Sequence, residues 1–457
     1  MDGPAPSASE TGGVVLASPA TRRLPLAVRL GLWVVGFVLA LLLATWYGQT
    51  SGVANDFTQN VWLPARLVLN GVDPYNPPPA QVDSALGQYA VQFDGFNGGD
   101  TYFAIYPMWV NLLFTPFAAL PLETSMAIWR ALMLVLVVWS IAHVLRVSNP
   151  TFRQAKPGAV AAIAVTVFLG IIFRESLVNI IVGQFAVIEL ALLAGVWGYL
   201  IASRDYAGRR LTVGDSLAGL ALAVLAAKPQ AVGLAVLLVL AWAVVRRRWT
   251  IPIATVVAAA LLLLLPLAAY PDSLGNWLAV VAGGQAASQM HVSASVWGVS
   301  YQVLGGVLPW QPVALALTVA GLVLLAPYWW WDMTDRTSPV PLALPVTLCV
   351  NSVVSPYLLQ YEHLVLLLPA LVFLAAAGLP DERPETGAKR WRAAMYTWMG
   401  VLPFLIVALQ VVEDKEYVTV IQSATMLAIC LVAQLRWSSG VDQAPVSAPQ
   451  PSQLRGV

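Results

Sequence analysis

The chain is organised as a series of long apolar runs separated by short polar segments. A helix that crosses the hydrocarbon core of a bilayer, about 30 Å thick, needs about 20 apolar residues. About twelve runs approach or reach this length, although several are short or are joined by tight links. They lie near residues 27–48, 124–146, 158–175, 179–202, 212–228, 231–246, 250–270, 311–331, 339–357, 358–378, 393–412 and 416–435. The pattern predicts an all-α integral membrane protein with about twelve transmembrane helices.

One further apolar stretch does not fit this alternation. Residues 103–121 are long enough to cross, but Pro107, Pro116 and Pro121 interrupt them. A full crossing here would also move the later basic clusters to the opposite side of the membrane. We therefore expect a re-entrant or interfacial helix pair on the outer face, which is tolerated where protein or a water-filled cavity covers the backbone.

Basic residues near the ends of the runs predict the orientation. Short cytoplasmic loops are enriched in Lys and Arg, and a cytoplasmic N-terminus places most of the 24 basic residues inside. Both termini are then cytoplasmic, and segments 49–123 and 271–310 form an outer, active-site face. Residues 1–26 and 437–457 are predicted to be disordered tails that flank a membrane domain at 27–436. Run 27–48 lacks a small-residue cleavage site, so we expect a first helix and not a signal peptide.

Composition agrees with the membrane prediction and excludes several functions. The chain is 59% hydrophobic and only 10% charged, with a mean hydropathy of +0.74. Soluble domains carry roughly 25% charged residues, so a soluble enzyme or a disordered regulator is excluded. The net charge of +1 leaves no basic field for a nucleic acid. Cys349 and Cys430 lie in separate apolar runs and fit neither a disulfide framework nor a metal site.

Polar residues within or beside the apolar runs are the candidates for function, because burying them in a membrane is costly. In the predicted orientation they collect near the outer leaflet. The candidates are Asp56, Arg130, Arg174, Glu175, Gln184, Lys228, His291, Glu362 and His363. Glu189, one turn deeper than Gln184, fits a buried structural acid better than a functional one. Opposite charges converging on one side predict a polar cavity there.

Several candidates have a structural alternative. Arg130 would alternatively reach the lipid headgroups with its guanidinium, and Arg174 and Glu175 would pair to cap two helices. Lys228 would alternatively be an ordinary loop lysine. Asp56 would alternatively cap the helix that is predicted to begin near Thr58. His291 and His363 would alternatively be a solvated loop histidine and a structural one.

Several short motifs follow one another along the chain: NDF at 55–57, GVDPY at 71–75, AIYPMWVNLLFTPFAALP at 104–121, VGQ at 182–184, AGLALAVLAAKPQ at 218–230 and SPYLLQYEH at 355–363. Their order resembles that of glycosyltransferase family 87. These are integral membrane mannosyltransferases of the GT-C superfamily, and they include a mycobacterial α-1,2-mannosyltransferase that elongates phosphatidylinositol mannosides. The resemblance covers roughly residues 27–435. It departs at YPM, where members often have YPP, and at LLQYEH, where members tend to have a Trp and paired His.

The resemblance implies an inverting transfer of a hexose, by default mannose, from a polyprenyl-phosphate donor. The acceptor would be a glycolipid or glycan hydroxyl at the outer face. The resemblance also implies that the acidic residue after the first span, here Asp56, is the catalytic base. No cofactor, metal or nucleic-acid partner is expected.

The chemistry of such a transfer requires a base and a cation, which the candidate residues can provide. One carboxylate must deprotonate the acceptor hydroxyl, and cations or hydrogen-bond donors must face the leaving phosphate. Lys228, Arg174, Arg130 and His363 are all candidates for the phosphate side. The chain has no Asp-x-Asp motif, so a metal-bound nucleotide sugar is not expected.

Two other function classes remain as alternatives. A polytopic lipid or sugar transporter would show polar groups near the midplane of two repeated halves, and the sequence has no evident internal repeat. An oligosaccharide ligase would share the outer active site. For a ligase, however, a catalytic Asp immediately after the first span would be unexpected.

Overall fold

The computed structural model describes residues 36, 38, 56–87, 104–154, 156–203, 212–282, 290–335, 342–378, 386–413 and 416–438. Within these residues all regular structure is helical and no strand occurs, as the sequence predicts. The predicted N-terminal tail, nearly all of the first predicted span and all but two residues of the C-terminal tail lie outside this description.

The helices of the first half begin with a π-helix, Thr58–Trp62, that continues directly as α1 (Leu63–Leu69). This agrees with the helix that the sequence predicts to begin near Thr58. The helices that follow are α2 (Pro79–Leu86), α3 (Met108–Leu113), α4 (Thr115–Ala118), α5 (Leu122–Ser148), α6 (Pro157–Ile172), α7 (Arg174–Val182), α8 (Ala186–Ala202), α9 (Val213–Leu225) and α10 (Pro229–Val245).

The second half is built in the same way, with short 3-10 turns between several helices. Its helices are α11 (Thr250–Leu264), α12 (Ser273–Ala282), α13 (Val296–Leu304), α14 (Trp310–Thr334), α15 (Leu344–Val354), α16 (Leu367–Ala377), α17 (Thr386–Gly400), α18 (Leu402–Glu413) and α19 (Val420–Ser438). The 3-10 turns of the described chain are Pro150–Arg153, Leu265–Ala268, Met290–Val292, Gln360–Leu366 and Glu416–Thr419.

Several of these helices are long and apolar enough to cross a membrane. By length and composition the described residues contain five, or six if α6 and α7, bent by 59° at their junction, form one span. Shorter apolar helices, α8, α9, α10, α15 and part of α19, lie among them. The five are Leu122–Ser148, Thr250–Ala268, Trp310–Thr334, Gln360–Ala377 and Ala388–Leu409. The chain is thus a multi-pass membrane protein, and the count of about twelve crossings stays a prediction.

The surfaces of α11 and α14 are typical of helices that face lipid. Leu261, Leu264, Val319, Val323 and Trp330 all expose large apolar side chains. A soluble monomer rarely exposes so continuous an apolar surface. Lipid acyl chains would cover this surface, so its apolar side chains would not be exposed to water.

Proline divides residues 104–121 as predicted. Pro107 precedes α3, and Pro116 lies in the first turn of α4. The two helices have six and four residues, so each is no longer than about 9 Å and neither crosses a bilayer alone. Their depth relative to the bilayer stays a prediction.

The two segments predicted to form the outer face contact each other. The Trp277 indole donates to the Ile105 carbonyl at 3.1 Å, and the hydroxyl of Tyr270, the residue before the second segment, donates to the Val68 carbonyl at 3.0 Å. The carboxylate of Asp73 accepts from the Asn276 amide at 2.5 Å. These contacts fix the segment before Tyr106 against α12.

The predicted orientation can be tested with two cysteines. Asp83 on α2 and Lys156 before α6 are both exposed, whereas the native Cys349 and Cys430 are buried and give little background. In otherwise unchanged chains, an impermeant maleimide should label Asp83→Cys in intact cells and Lys156→Cys only after permeabilisation. Equal labelling of the two variants in intact cells would overturn the orientation.

Candidate functional site

The candidate site is built around the tight turn that joins α7 to α8. Gly183 has a φ of +78°, a left-handed conformation that favours glycine. A Cβ on Gly183 would lie 2.5 Å from the Phe57 Cβ and 3.2 Å from Cδ1 of Trp129. The Trp129 indole also donates to the Gly183 carbonyl at 2.9 Å. The backbone of the turn therefore packs directly against the residue that follows Asp56.

Arg130 supports the same turn from α5. Its guanidinium donates to the Ile181 carbonyl through Nη2 at 2.8 Å and Nε at 3.2 Å. The side chain is only 2% exposed, so it does not extend toward headgroups as the structural alternative supposed. A cation at the carbonyl end of α7 is also favoured by the helix dipole. These contacts favour a role in fixing the turn over the predicted role at a phosphate.

Asp56 and Gln184 are brought together by this turn. The Gln184 side-chain amide donates to Oδ2 of Asp56. Gln184 is buried and Asp56 is half-buried. Asp56 and Phe57 are themselves helical, and no side chain caps the π-helix that starts at Thr58, so the capping alternative for Asp56 is not what the structure shows.

The surroundings of Asp56 make its carboxylate a stronger base than that of a solvated aspartate. Burial raises the pKa of Asp56 above its ordinary value. The hydrogen bond from Gln184 and the charge of Lys228 oppose that rise, and the charge of Glu362 adds to it. A carboxylate with a raised pKa is better suited to accept a proton from a hydroxyl.

Lys228 forms a buried ion pair with Glu362. It is the residue before α10, and its Nζ lies 2.7 Å from Oε1 of Glu362. The same Nζ lies 5.2 Å from the centroid of the Tyr361 ring. The side chains of Lys228 and Glu362 are 5% and 0% exposed, which excludes the ordinary loop lysine that the sequence left as an alternative.

The carboxylate of Glu362 is held by two further donors. The Leu359 backbone N–H donates to Oε2 at 2.8 Å, and the Gln230 amide donates to Oε1 at 3.4 Å. Asn351 then fixes the first turns of α10, because its amide donates to the Gln230 carbonyl at 2.8 Å and its oxygen accepts from the Leu234 N–H at 3.0 Å. The ion pair is thus anchored from three elements.

Arg174 and Glu175 form a second polar cluster, as one of the sequence alternatives expected. Arg174 lies 3.3 Å from Glu175 Oε1 and also donates to the Gln360 side-chain oxygen. The Asn179 amide donates to the Tyr361 carbonyl at 2.8 Å. α7 therefore holds the 3-10 turn that carries Glu362.

The two candidate histidines are not brought to Asp56 by any contact in the described chain. His363 is fully buried and is influenced by the charge of Arg174. Consecutive residues of a 3-10 helix project about 120° apart, so the side chains of His363 and Glu362 lie on different sides of the turn. His291 lies in the turn Met290–Val292, and the position of its side chain lies outside the described part.

Sequence reasoning missed Tyr106. It interpreted Glu189 as a buried structural acid, and the structure confirms that Glu189 is buried. Tyr106 is buried, and the charges of Asp56, Lys228, Glu189 and Glu362 all act on it. Its position in the YPM motif, directly before Pro107, is the sequence feature that could have identified Tyr106. We call Asp56, Glu189, Lys228 and Glu362 the carboxylate–lysine cluster. Among the residues that the structure describes, no group of three His, Cys, Asp or Glu side chains is arranged for a metal.

A family model for glycosyltransferase family 87 matches residues 103–356. This is more than half of the 457 residues. The matched segment contains Gln184, Glu189 and Lys228, whereas Asp56 precedes it and Glu362 follows it. No curated protein and no solved structure matches the chain.

The turn can be tested by comparing two glycine substitutions. Gly183→Ala should lower the free energy of unfolding by about 2–5 kcal/mol, because a left-handed alanine costs about 1–2 kcal/mol and the contact with Phe57 adds about 1–3. Gly71→Ala is the matched control, since Gly71 has a φ of +73° but no atom within 4 Å of its added Cβ. Thermal unfolding in detergent measures both. Equal losses of stability would show that the packing of Gly183 is unimportant.

Proposed function

Because the chain belongs to glycosyltransferase family 87, we propose that it transfers a hexose from a polyprenyl-phosphate donor to a glycolipid or glycan hydroxyl at the outer membrane face. The observation that carries the proposal is the position of Asp56. Its carboxylate is held by Gln184, and it is influenced by the charge of the buried Lys228–Glu362 pair. A base beside a buried cation is the minimum that this transfer requires.

Asp56 acts as the general base in the proposed reaction. It takes the proton of the acceptor hydroxyl as the acceptor oxygen forms a bond to the anomeric carbon of the donor sugar. The bond between that carbon and the phosphate oxygen breaks, and its electron pair leaves with the polyprenyl phosphate. Attack from the opposite side inverts the anomeric carbon, so a β-linked donor gives an α-linked product.

Lys228 is the cation that we assign to the leaving phosphate. Arg130 is engaged with the Ile181 carbonyl, and Arg174 is engaged with Glu175 and Gln360. The Lys228 ammonium has three N–H donors, so its bond to Glu362 leaves two for phosphate oxygens. Arg174, which donates to Gln360 of the same 3-10 turn, would contribute positive charge from further away. His363 lies within that turn on a different side from Glu362 and is not assigned to the phosphate. Charge stabilisation of this kind needs no metal ion.

For the sugar we propose mannose, on the resemblance to the mannosyltransferases of this family. The acceptor we propose is a lipid-linked glycan of the cell envelope, as in the mycobacterial enzyme that the motifs resemble. Gln184, Glu175 and His291 remain candidates for binding the substrates. The predicted orientation places the reaction on the periplasmic or extracellular side.

Removing the base tests the proposal most simply. Asp56→Asn should fold and bind donor but lose on the order of 10²–10⁴ in turnover, because an amide cannot accept the proton. Sugar transfer by the purified variant is the measurement, with the exposed Asp83→Asn as control. The general-base role is wrong if Asp56→Asn keeps more than about a tenth of the wild-type turnover.

The contact with Gln184 predicts a shift in pH dependence. The base must be ionised, so activity is lost as the pH falls through the raised pKa of Asp56. The hydrogen bond from Gln184 lowers that pKa, and its removal in Gln184→Leu should raise it further. The acidic limb of the kcat/KM profile should therefore move to higher pH.

The exposed Gln81 provides the control for this shift. Gln81→Leu should leave the acidic limb where the wild type has it. If the limb of Gln184→Leu stays unchanged or moves to lower pH, Gln184 does not govern the ionisation of the base.

A further inference from the structure

Glu189 is a buried carboxyl group that the mechanism above does not use. It is 0% exposed, and neither of its oxygens has a hydrogen-bond partner in the described structure. Burial removes the water that would solvate these oxygens, and an unpartnered polar group gains nothing in return. Such a group in a folded protein calls for a specific explanation, such as a ligand that binds to it.

The position of Glu189 connects it to the carboxylate–lysine cluster. It lies in the first turn of α8, five residues after Gln184, and α8 packs against the 3-10 turn Gln360–Leu366. The charges of Lys228 and Glu362 both act on it. Glu189 therefore lies on the α8 side of the group that we assign to the donor phosphate.

Glu189 and Glu362 differ sharply in their hydrogen bonds, although the charge of Lys228 acts on Glu189 and Lys228 is paired with Glu362. Glu362 accepts from Lys228, from Gln230 and from the Leu359 backbone. Glu189 accepts from none of the described residues. Among the described residues, three donors thus satisfy Glu362, whereas both oxygens of Glu189 lack a donor.

We propose that Glu189 binds a hydroxyl group of the donor hexose and thereby selects the sugar. The proposal rests on the function proposed above, because a phosphate at Lys228 brings the sugar attached to it toward Glu189. Asp56 is then left to face the acceptor hydroxyl. A carboxyl group accepts hydrogen bonds through both oxygens, and a buried site made for a hydroxyl strongly rejects a sugar that lacks it.

The test compares Glu189 variants on donors that each lack one hydroxyl. The purified full chain is given polyprenyl-phosphate mannose and its 2-, 3-, 4- and 6-deoxy analogues. Glu189→Leu should lose on the order of 10- to 100-fold in kcat/KM with the parent donor. With one deoxy donor the variant and the wild type should agree within about twofold, since the lost partner is then absent from both. The ratio of variant to wild type for each donor cancels the intrinsic reactivity of that donor.

Two further measurements separate binding from a structural role. Glu189→Leu should unfold at the same temperature as the wild type or higher, because it removes an unpartnered buried polar group. Glu189→Gln keeps one acceptor oxygen and should lose less activity than Glu189→Leu. Glu123→Gln, at an exposed position of α5, is the matched control and should change neither property.

The possible results distinguish the two proposals. A loss that is equal for all five donors, together with a lower unfolding temperature, would mean that Glu189 only holds buried water or supports α8, and the inference would be wrong. A wild-type chain that transfers no sugar from any polyprenyl-phosphate donor would overturn the proposed function and this inference together. Transfer by the wild type without selective recovery on a deoxy donor would overturn this inference alone.

Discussion

The close contact between the Gly183 turn and the Phe57 side chain is the constraint on which the rest of the site depends. Asp56 and Gln184 are 128 residues apart, and they meet because no Cβ stands between the turn and the helix that begins at Thr58. Trp129 and Arg130, neighbours on α5, hold the carbonyls of this turn. One helix thus fixes the backbone, and the backbone fixes the partner of the proposed base.

The Lys228–Glu362 pair extends this arrangement into the second half of the chain. A buried ion pair often contributes little net stability, because removing both charges from water offsets their attraction. Its consequence here is the fixed position of a cation where little water screens it. Asn351 fixes the first turns of α10, and the Leu359 N–H bonds the Glu362 carboxylate. Neither adds charge, so the ammonium keeps donors for an incoming anion.

The all-helical membrane class was predictable from the sequence, whereas the contacts of the site were not. The apolar run at 124–146 corresponds to α5 (Leu122–Ser148), and the prolines of 104–121 mark the breaks around α3 and α4. Burial cost alone pointed to Lys228 and Glu362. The partner of Arg130 is a backbone carbonyl 51 residues away, which depends on how two helices are rotated and is not encoded in any local pattern. For the same reason the sequence could not distinguish Glu189, which has no partner in the described structure, from a buried acid that has one.

The central claim is that this cluster transfers sugar from a lipid phosphate. The most direct measurement gives the purified wild-type chain radiolabelled polyprenyl-phosphate mannose, or GDP-mannose in parallel, together with lipids extracted from its native membrane. The account predicts label in an α-linked lipid or glycan product from the polyprenyl-phosphate donor and none from the nucleotide sugar. Transfer from GDP-mannose alone, or a product that retains the β configuration of the donor, would contradict it.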